Sequence, residues 1–337
     1  MKVSALAAYG PREPLRPFEY ETGPLKDHQC LIKVLTCGIC HSDIHCMDND
    51  WEMTSYPMVP GHEAIGEVID MGSQISHLQI GDRVGVGWQS GACLHCLDCL
   101  RGNQQMCEVD NRATILQQYG GFGDYMTVDS RFAFPIPEGL SSEAAGPLLC
   151  GGITVYSGLR HAGMSGGQEI GVIGIGGLGH LAVQFAAKLG NRVTVFTSSP
   201  DKAEFATSLG ASEAVVIGRD GTAPNKPSRR LNIILDTVAA SKDYNAYLNM
   251  LDSDGVFNLV GVPTDDIPLS VFAFQDKRRR VMGSPIGSPA EIHQMLALCA
   301  DKEILPLIET FPFSQANEAL QRVRENKVRY RAVLTME

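Results

Sequence analysis

Val172–Gly179, read VIGIGGLG, restricts this chain more than any other stretch. The apolar run EIGVI leads into it, and HLAVQFAAKLG follows with the apolar spacing of a helix. Strand, glycine turn and helix in that order make the first step of a parallel sheet. Gly174, Gly176 and Gly179 stand in G-x-G-x-x-G order. The first permits a tight turn, the second lets backbone approach a pyrophosphate, and the third packs helix on strand. Free N–H groups at the helix start favour the anion. Gly174, Gly176, Gly177, Leu178 and Gly179 are therefore candidate dinucleotide contacts. RVTVFTSS from Arg192, LNIILDTV and GVFNLVGV read as further strands, with a helix over Lys202–Leu209. This alternation predicts an α/β unit with a doubly wound parallel sheet over residues 151–288.

The end of the second strand bears on the cofactor. Chains that bind NAD usually place Asp or Glu there, on the ribose 2′-OH. Thr197, Ser198 and Ser199 occupy the place here, with no acid before Asp201. Small hydroxyls suit a 2′-phosphate, and Lys202 one turn on would neutralise it. NADP(H) is the expectation. A second reading has Ser198 and Ser199 capping the next helix, and both roles are compatible.

Gly91–Cys107, read GACLHCLDCLRGNQQMC, places Cys93, Cys96, Cys99 and Cys107 at C-x2-C-x2-C-x7-C spacing. Four thiolates so spaced close the shell of a tetrahedral ion, which makes residues 90–108 a structural zinc lobe. Too few apolar residues lie there to order it without metal. Two disulfides are the rival reading, and His95 or Asp98 a stray ligand.

Other metal-binding residue types are scattered. CGICHSDIH spans Cys37–His45, PGHEAIGEV carries His62 and Glu63, and GPLLCGGITVY carries Cys150. Cys40, His62 and Cys150 together would offer two thiolates and an imidazole, leaving a fourth zinc position for water or substrate. Cys37 and Cys40 also have redox-dithiol spacing.

The 337 residues suffice for two domains. Lys plus Arg number 28 against 38 Asp plus Glu, a net charge of −10 that argues against nucleic acid or an anionic membrane as partner. The N-terminus shows no apolar run of signal or spanning length, so a cytoplasmic location is expected. Asp276–Arg280 (DKRRR) reads as a solvated edge. After Glu291 the pattern is helix, loop and a closing strand YRAVLTM.

The motifs CGICHSD, DWEMTSYPMVPGHE, GWQSGACLHCLDC, AGPLLCGGITVY, VIGIGGLGH and VTVFTSS occur in this order. Together they resemble the zinc-dependent medium-chain alcohol dehydrogenases, and within them the cinnamyl alcohol dehydrogenase branch and its bacterial NADPH-dependent aldehyde reductases. The resemblance covers essentially the whole chain. It implies a GroES-like β-rich catalytic domain (1–150 and 289–337) beside a Rossmann domain (151–288). It implies two zinc ions per subunit and a homodimer. Cys40, His62 and Cys150 match the catalytic zinc ligands, and Glu63 an acid that approaches the zinc during exchange. Asp43 matches the carboxylate that orients the ligating imidazole, and Ser42 the hydroxyl on the substrate oxygen. His45 matches the far end of a proton relay reached through the nicotinamide ribose. Val260, Gly261, Val262, Ser284 and Ile286 match segments flanking the nicotinamide. Trp51, Trp88, Leu116, Tyr119 and Ile286 suggest an apolar slot for aldehydes. The loop between Cys107 and Gly120 departs from the plant lignin enzymes, which favours a broad aldehyde reductase. A non-catalytic NADPH-binding sensor and an NAD-linked alcohol or polyol oxidase are the competing functions.

Overall fold

A computed structural model describes residues 1–218, 225–263 and 265–336. The chain divides into two compact units, Met1–Cys150 with the residues from Ser288 onward, and Gly151–Gly287.

The first unit opens on a hairpin of β1 (Lys2–Ala7) and β2 (Arg16–Glu21). β3 (Gln29–Ile39) follows and is the central strand of the unit's sheet. Its run CLIKVLTCGI is almost continuously buried, the pattern of a strand covered on both faces. β4 (Ala64–Met71) lies antiparallel on one edge. β5 (Arg83–Val86) pairs with β4. Between β3 and β4 stands α1 (His41–Asp48). The short pair β6 (Gln89–Gly91) and β7 (Arg112–Ala113) brackets the cysteine-rich segment, which holds α2 (Leu97–Leu100) and a 3-10 turn at Gln104–Met106. β8 (Tyr125–Asp129) takes the lower half of the other edge of β3, and β9 (Ala133–Pro135) pairs with β5. α3 (Ser142–Pro147) starts at Ser141, whose hydroxyl accepts from the Ala144 N–H, and runs into a π-helical turn at Leu148–Gly152. Ile32, Val34, Ile44, Met47, Val68, Val84, Phe122 and Met126 form the core between these elements.

The second unit is the doubly wound half. α4 (Ile153–His161) precedes β10 (Glu169–Ile173), α5 (Gly179–Lys188), β11 (Arg192–Thr197), α6 (Pro200–Ser208) and β12 (Glu213–Val216). β13 (Leu231–Asp236), α7 (Tyr244–Leu248), β14 (Leu251–Leu259), α8 (Val271–Gln275) and β15 (Arg280–Gly283) complete it. The sheet order is β12-β11-β10-β13-β14-β15, every pair parallel. The order reverses between β10 and β13, and open α/β sheets take ligands at the strand ends beside such a reversal. The glycines of the turn have distinct duties. Gly174 has φ +89°, and a Cβ there would lie 2.3 Å from Val238 Cγ2. A Cβ on Gly179 would lie 2.0 Å from the Gly174 carbonyl oxygen. Gly176 has open space where its Cβ would be, as a backbone meant to meet a ligand requires.

Back in the first unit, α9 (Pro289–Lys302) starts on a capping box of Ser288 and Glu291. β16 (Ile308–Pro312) and α10 (Ala316–Arg324) then occupy the stretch read as loop, before β17 (Arg331–Thr335) takes the upper half of the β3 edge. β16 escaped the sequence reading because only one of its five residues is buried, so it shows little alternation. α10 did carry a signal: Ala316, Ala319, Leu320 and Val323 are its buried face. The DKRRR run is also not all solvated edge. Arg279 is buried, donating to the carbonyl oxygens of Leu251 (3.2 Å) and Ala273 (2.8 Å). Among the described residues, no helix is long and apolar enough to cross a membrane.

Candidate metal and cofactor sites

β3 ends at Ile39 and delivers Cys40 to the start of α1. There Cys40 serves as the helix cap. Its Sγ accepts from the Ser42 N–H at 3.5 Å, and its own N–H donates to Asp43 Oδ2 at 3.0 Å. Asp43 Oδ1 accepts from the Gly61 N–H and from His62 Nδ1, each at 2.9 Å. Asp43 is thus fully buried with both oxygens used. With Nδ1 donating, a neutral His62 would have its lone pair on Nε2, which lies 3.2 Å from Cys150 Sγ. Cys150 Sγ stands 3.8 Å from Cys40 Sγ. Glu63 completes the group, and one donor atom from each of Cys40, His62, Glu63 and Cys150 falls within 4.8 Å of the others. All four residues are buried.

Glu63 has a partner that the sequence reading missed. Arg331 on β17, itself buried, donates through Nη2 to Glu63 Oε1 and to the Ile39 carbonyl. The other carboxylate oxygen, Oε2, and Arg331 Nε have no hydrogen-bond partner among the described residues. Arg331 is 268 residues from Glu63 and sits in an apolar strand, so nothing local announces the pair.

Burial and proximity set the charges here. The Cys150 hydrogen bond holds the Cys40 thiol well below its ordinary range, against the cost of burial and aided by His62 and Arg331. Cys150, donating to Cys40 and buried, is pushed well above. Burial works against the His62 imidazolium, but Asp43 and Cys40 together outweigh it and raise the pKa. Burial lifts Glu63 to about 7 even with Arg331 beside it. Two sulfurs, an imidazole nitrogen and a carboxylate oxygen converging in a buried spot are the donor types that zinc takes, and an unpartnered Glu63 oxygen is left over.

The cysteine segment forms a second such group. One Sγ from each of Cys93, Cys96, Cys99 and Cys107 lies within 4.8 Å of the rest. The Cys93–Cys99 and Cys96–Cys107 sulfurs are 3.9 Å apart and all ten cysteines are free, which removes the disulfide alternative. Backbone N–H groups of Cys93 (3.4 Å) and Asp110 (3.3 Å) point at Cys107 Sγ and help hold that thiol at about 6. His95 instead takes Nδ1 to the Cys93 carbonyl at 2.7 Å, and neither it nor Asp98 joins the group.

Ser42 lies on the first turn of α1, its Oγ 3.7 Å from Cys40 Sγ. His45, on the same helix, is half-exposed, with Nδ1 2.8 Å from Asp50 Oδ2 and its ring 5.3 Å from Trp51. Asp50 is a second residue that the sequence reading did not single out. Trp88 stands edge-on to His62 at 5.1 Å, and Trp51 meets Trp88 at 6.3 Å. Tyr119 stands with Phe18 (5.1 Å) and Tyr20 (4.5 Å) in an aromatic cluster. Leu116 packs on the core.

In the second unit, Thr197 ends β11 and its Oγ1 accepts from the Ser199 N–H at 3.3 Å. Ser199 caps α6, its hydroxyl accepting from the Lys202 N–H at 3.4 Å. The capping role is therefore real, while the Thr197–Ser199 corner still carries no carboxylate. Val260 and Gly261 each donate an N–H to the Asp236 carbonyl at 3.0 Å. The Ser284 N–H donates to Leu259 at 3.1 Å, and Ile286 is partly buried two residues on.

The alcohol dehydrogenase GroES-like domain family matches residues 26–138, and the zinc-binding dehydrogenase family matches 177–301. Aldehyde reductase AdhA of Synechocystis is 40% identical over 336 residues, 99% of this chain and 98% of that protein. The chain belongs to the zinc-dependent medium-chain alcohol dehydrogenases. This alcohol dehydrogenase sits in their cinnamyl alcohol dehydrogenase-like branch, and it is an oxidoreductase acting on alcohols. A cinnamyl alcohol dehydrogenase of Sorghum bicolor superposes with TM-score 0.91 at 35% identity, covering 99% of this chain and 98% of that one. A cinnamyl alcohol dehydrogenase of Helicobacter pylori complexed with NADP(H) gives TM-score 0.89 at 30% identity, with the same coverage. The fold is α/β, a GroES-like β-rich unit followed by a Rossmann sheet.

Proposed function

We propose that this alcohol dehydrogenase works as an NADP(H)-linked aldehyde reductase, with Cys40, His62 and Cys150 holding the catalytic zinc and the four lobe cysteines a structural one. The observation that carries it is the convergence of the first three donors around an imidazole whose tautomer Asp43 fixes. When bound, zinc supplies Lewis acidity to a carbonyl oxygen. NADPH, when bound, would supply the hydride.

The chain's own residues do the rest. Asp43 orients His62 and braces Cys40, so the ligand set is rigid before metal arrives. Ser42, two residues past Cys40, is placed to hydrogen-bond the substrate oxygen and to hand it a proton. His45, half-exposed and held through Nδ1 by Asp50, exchanges that proton with solvent. Trp88 and Trp51 give the site an apolar wall suited to an aldehyde's carbon chain. Glu63, tied to Arg331 through one oxygen, keeps the other oxygen for the metal during ligand exchange. The absence of an acid at the end of β11 supports NADP(H) over NAD(H), as does the Helicobacter relative's complex.

The test is a substrate screen on zinc-replete protein with both reduced cofactors. A kcat/KM for NADPH well above that for NADH, with medium-chain or aromatic aldehydes, is the expected result. Equal use of NADH, or turnover that survives Cys40→Ala, overturns the reading.

A further inference from the structure

Seven residues, Asp236–Lys242, run from the last residue of β13 into the loop before α7, and the mechanism above gives them no part. The loop lies at the carboxyl end of β13, beside the reversal of strand order. Three contacts tie it to segments that hold a dinucleotide. Thr237 Oγ1 donates to the Ile173 carbonyl at 2.7 Å, one residue before the glycine turn. Val238 stands over Gly174 so closely that a Cβ there would collide with it. The Asp236 carbonyl takes the N–H groups of both Val260 and Gly261. One short loop therefore connects the glycine turn to the Val260–Val262 segment.

A buried ion pair locks that loop. Lys242 Nζ donates to Asp236 Oδ1 (2.8 Å) and Oδ2 (2.6 Å), and to the Val238 carbonyl oxygen (2.7 Å). Asp236 is fully buried and the Lys242 side chain is 10% exposed. Oδ1 also accepts from the Val238 N–H at 3.1 Å. All three ammonium hydrogens are thus used within the loop, and Val238 is gripped by both its N–H and its carbonyl. Burial raises the Asp236 carboxyl above its ordinary value even with the ammonium beside it. A pair this costly to bury is poor evidence for stability alone, and holding one arrangement is its best-attested use.

We propose that Lys242 is a positioning residue for the dinucleotide: its ammonium clamps Asp236 to Val238 and so fixes the glycine turn against the Val260–Val262 segment. The inference rests on the reading that the glycine turn holds NADP(H). It adds that affinity depends on a side chain whose ammonium is spent on Asp236 and Val238. Lys242 acts before the cofactor arrives, by removing loop conformations that binding would otherwise have to freeze.

The test titrates NADPH into the zinc-replete chain by fluorescence, with melting temperature read on the same samples. Lys242→Met alone would strand a buried carboxylate, so the main variant is Asp236→Asn with Lys242→Met. Its Kd for NADPH is expected to rise about fivefold to tenfold or more, with KM for NADPH following and kcat at saturating NADPH within about twofold. Val238→Ala leaves the ion pair intact and removes the methyls leaning on Gly174, and a rise of about threefold is expected. Arg278→Met breaks the exposed pair with Asp254, off this loop, and should leave Kd unchanged. A Kd within about twofold of the parent in both loop variants overturns the inference alone. A parent chain that binds neither NADPH nor NADH overturns the dinucleotide reading and this inference with it.

Discussion

Asp43 shows how much of the site hangs on one carboxylate. Its two oxygens take three N–H groups, from Cys40, Gly61 and His62, and so hold both ends of the ligand set. Asn at that position could still accept from Gly61 and His62 through one oxygen. Its amide would then face the Cys40 N–H, donor against donor. Asp43→Asn should lower affinity for the catalytic zinc, and activity with it, by about 10- to 100-fold. Zinc content after graded chelation, compared with activity of the same samples, checks this. The Glu63–Arg331 pair is the other buried commitment, with side chains 0% and 4% exposed. Arg331→Met takes away the guanidinium beside the buried Glu63, and removing one member of such a pair costs about 3–5 kcal/mol. Urea titration should show that loss, and adding Glu63→Gln to the variant should restore most of it.

At the scale of elements, the turn between β10 and α5 makes a sharp contrast between neighbouring glycines. Gly176→Ala places its methyl in open space, so the fold should hold. The same methyl stands where a pyrophosphate must approach, and NADPH affinity should fall about tenfold or more, some 1.4 kcal/mol. Gly179→Ala drives a methyl into the Gly174 carbonyl, so it should lower the melting temperature first. Circular dichroism melts beside cofactor titrations separate the two. This turn was legible in the sequence because its constraints are local: an apolar strand, three spaced glycines and a helix within 22 residues, Glu169–Gly190. The cysteine lobe was legible for the same reason, since metal spacing is a short-range signal. Legibility failed where pairing is distant. Arg331 meets Glu63 only because β17 lies on β3, and β16 pairs parallel to β17 with one buried residue to mark it.

For the molecule as a whole, the two chemistries are divided between the two units. Both metal-type groups, Cys40–His62–Glu63–Cys150 and the four lobe cysteines, belong to the unit of Met1–Cys150 and the C-terminal residues. The glycine turn and its loop belong to Gly151–Gly287. A chain so divided need not unfold in one step once its ligands are withdrawn, because two cores are then held by different terms. Zinc held as proposed would stabilise the first unit, because it would bind only the folded form of the unit that carries both donor sets. Calorimetry of the chelated protein should therefore show a low-temperature transition that disappears when zinc is restored. Saturating NADPH should leave that transition in place and move a second one upward, since a ligand at 100 times its Kd adds about 2.7 kcal/mol to the fold that binds it. A single transition that zinc and NADPH shift alike would mean that the two units unfold as one. Stability would then belong to the pair, and the metal sites and the glycine turn would be coupled through the fold itself.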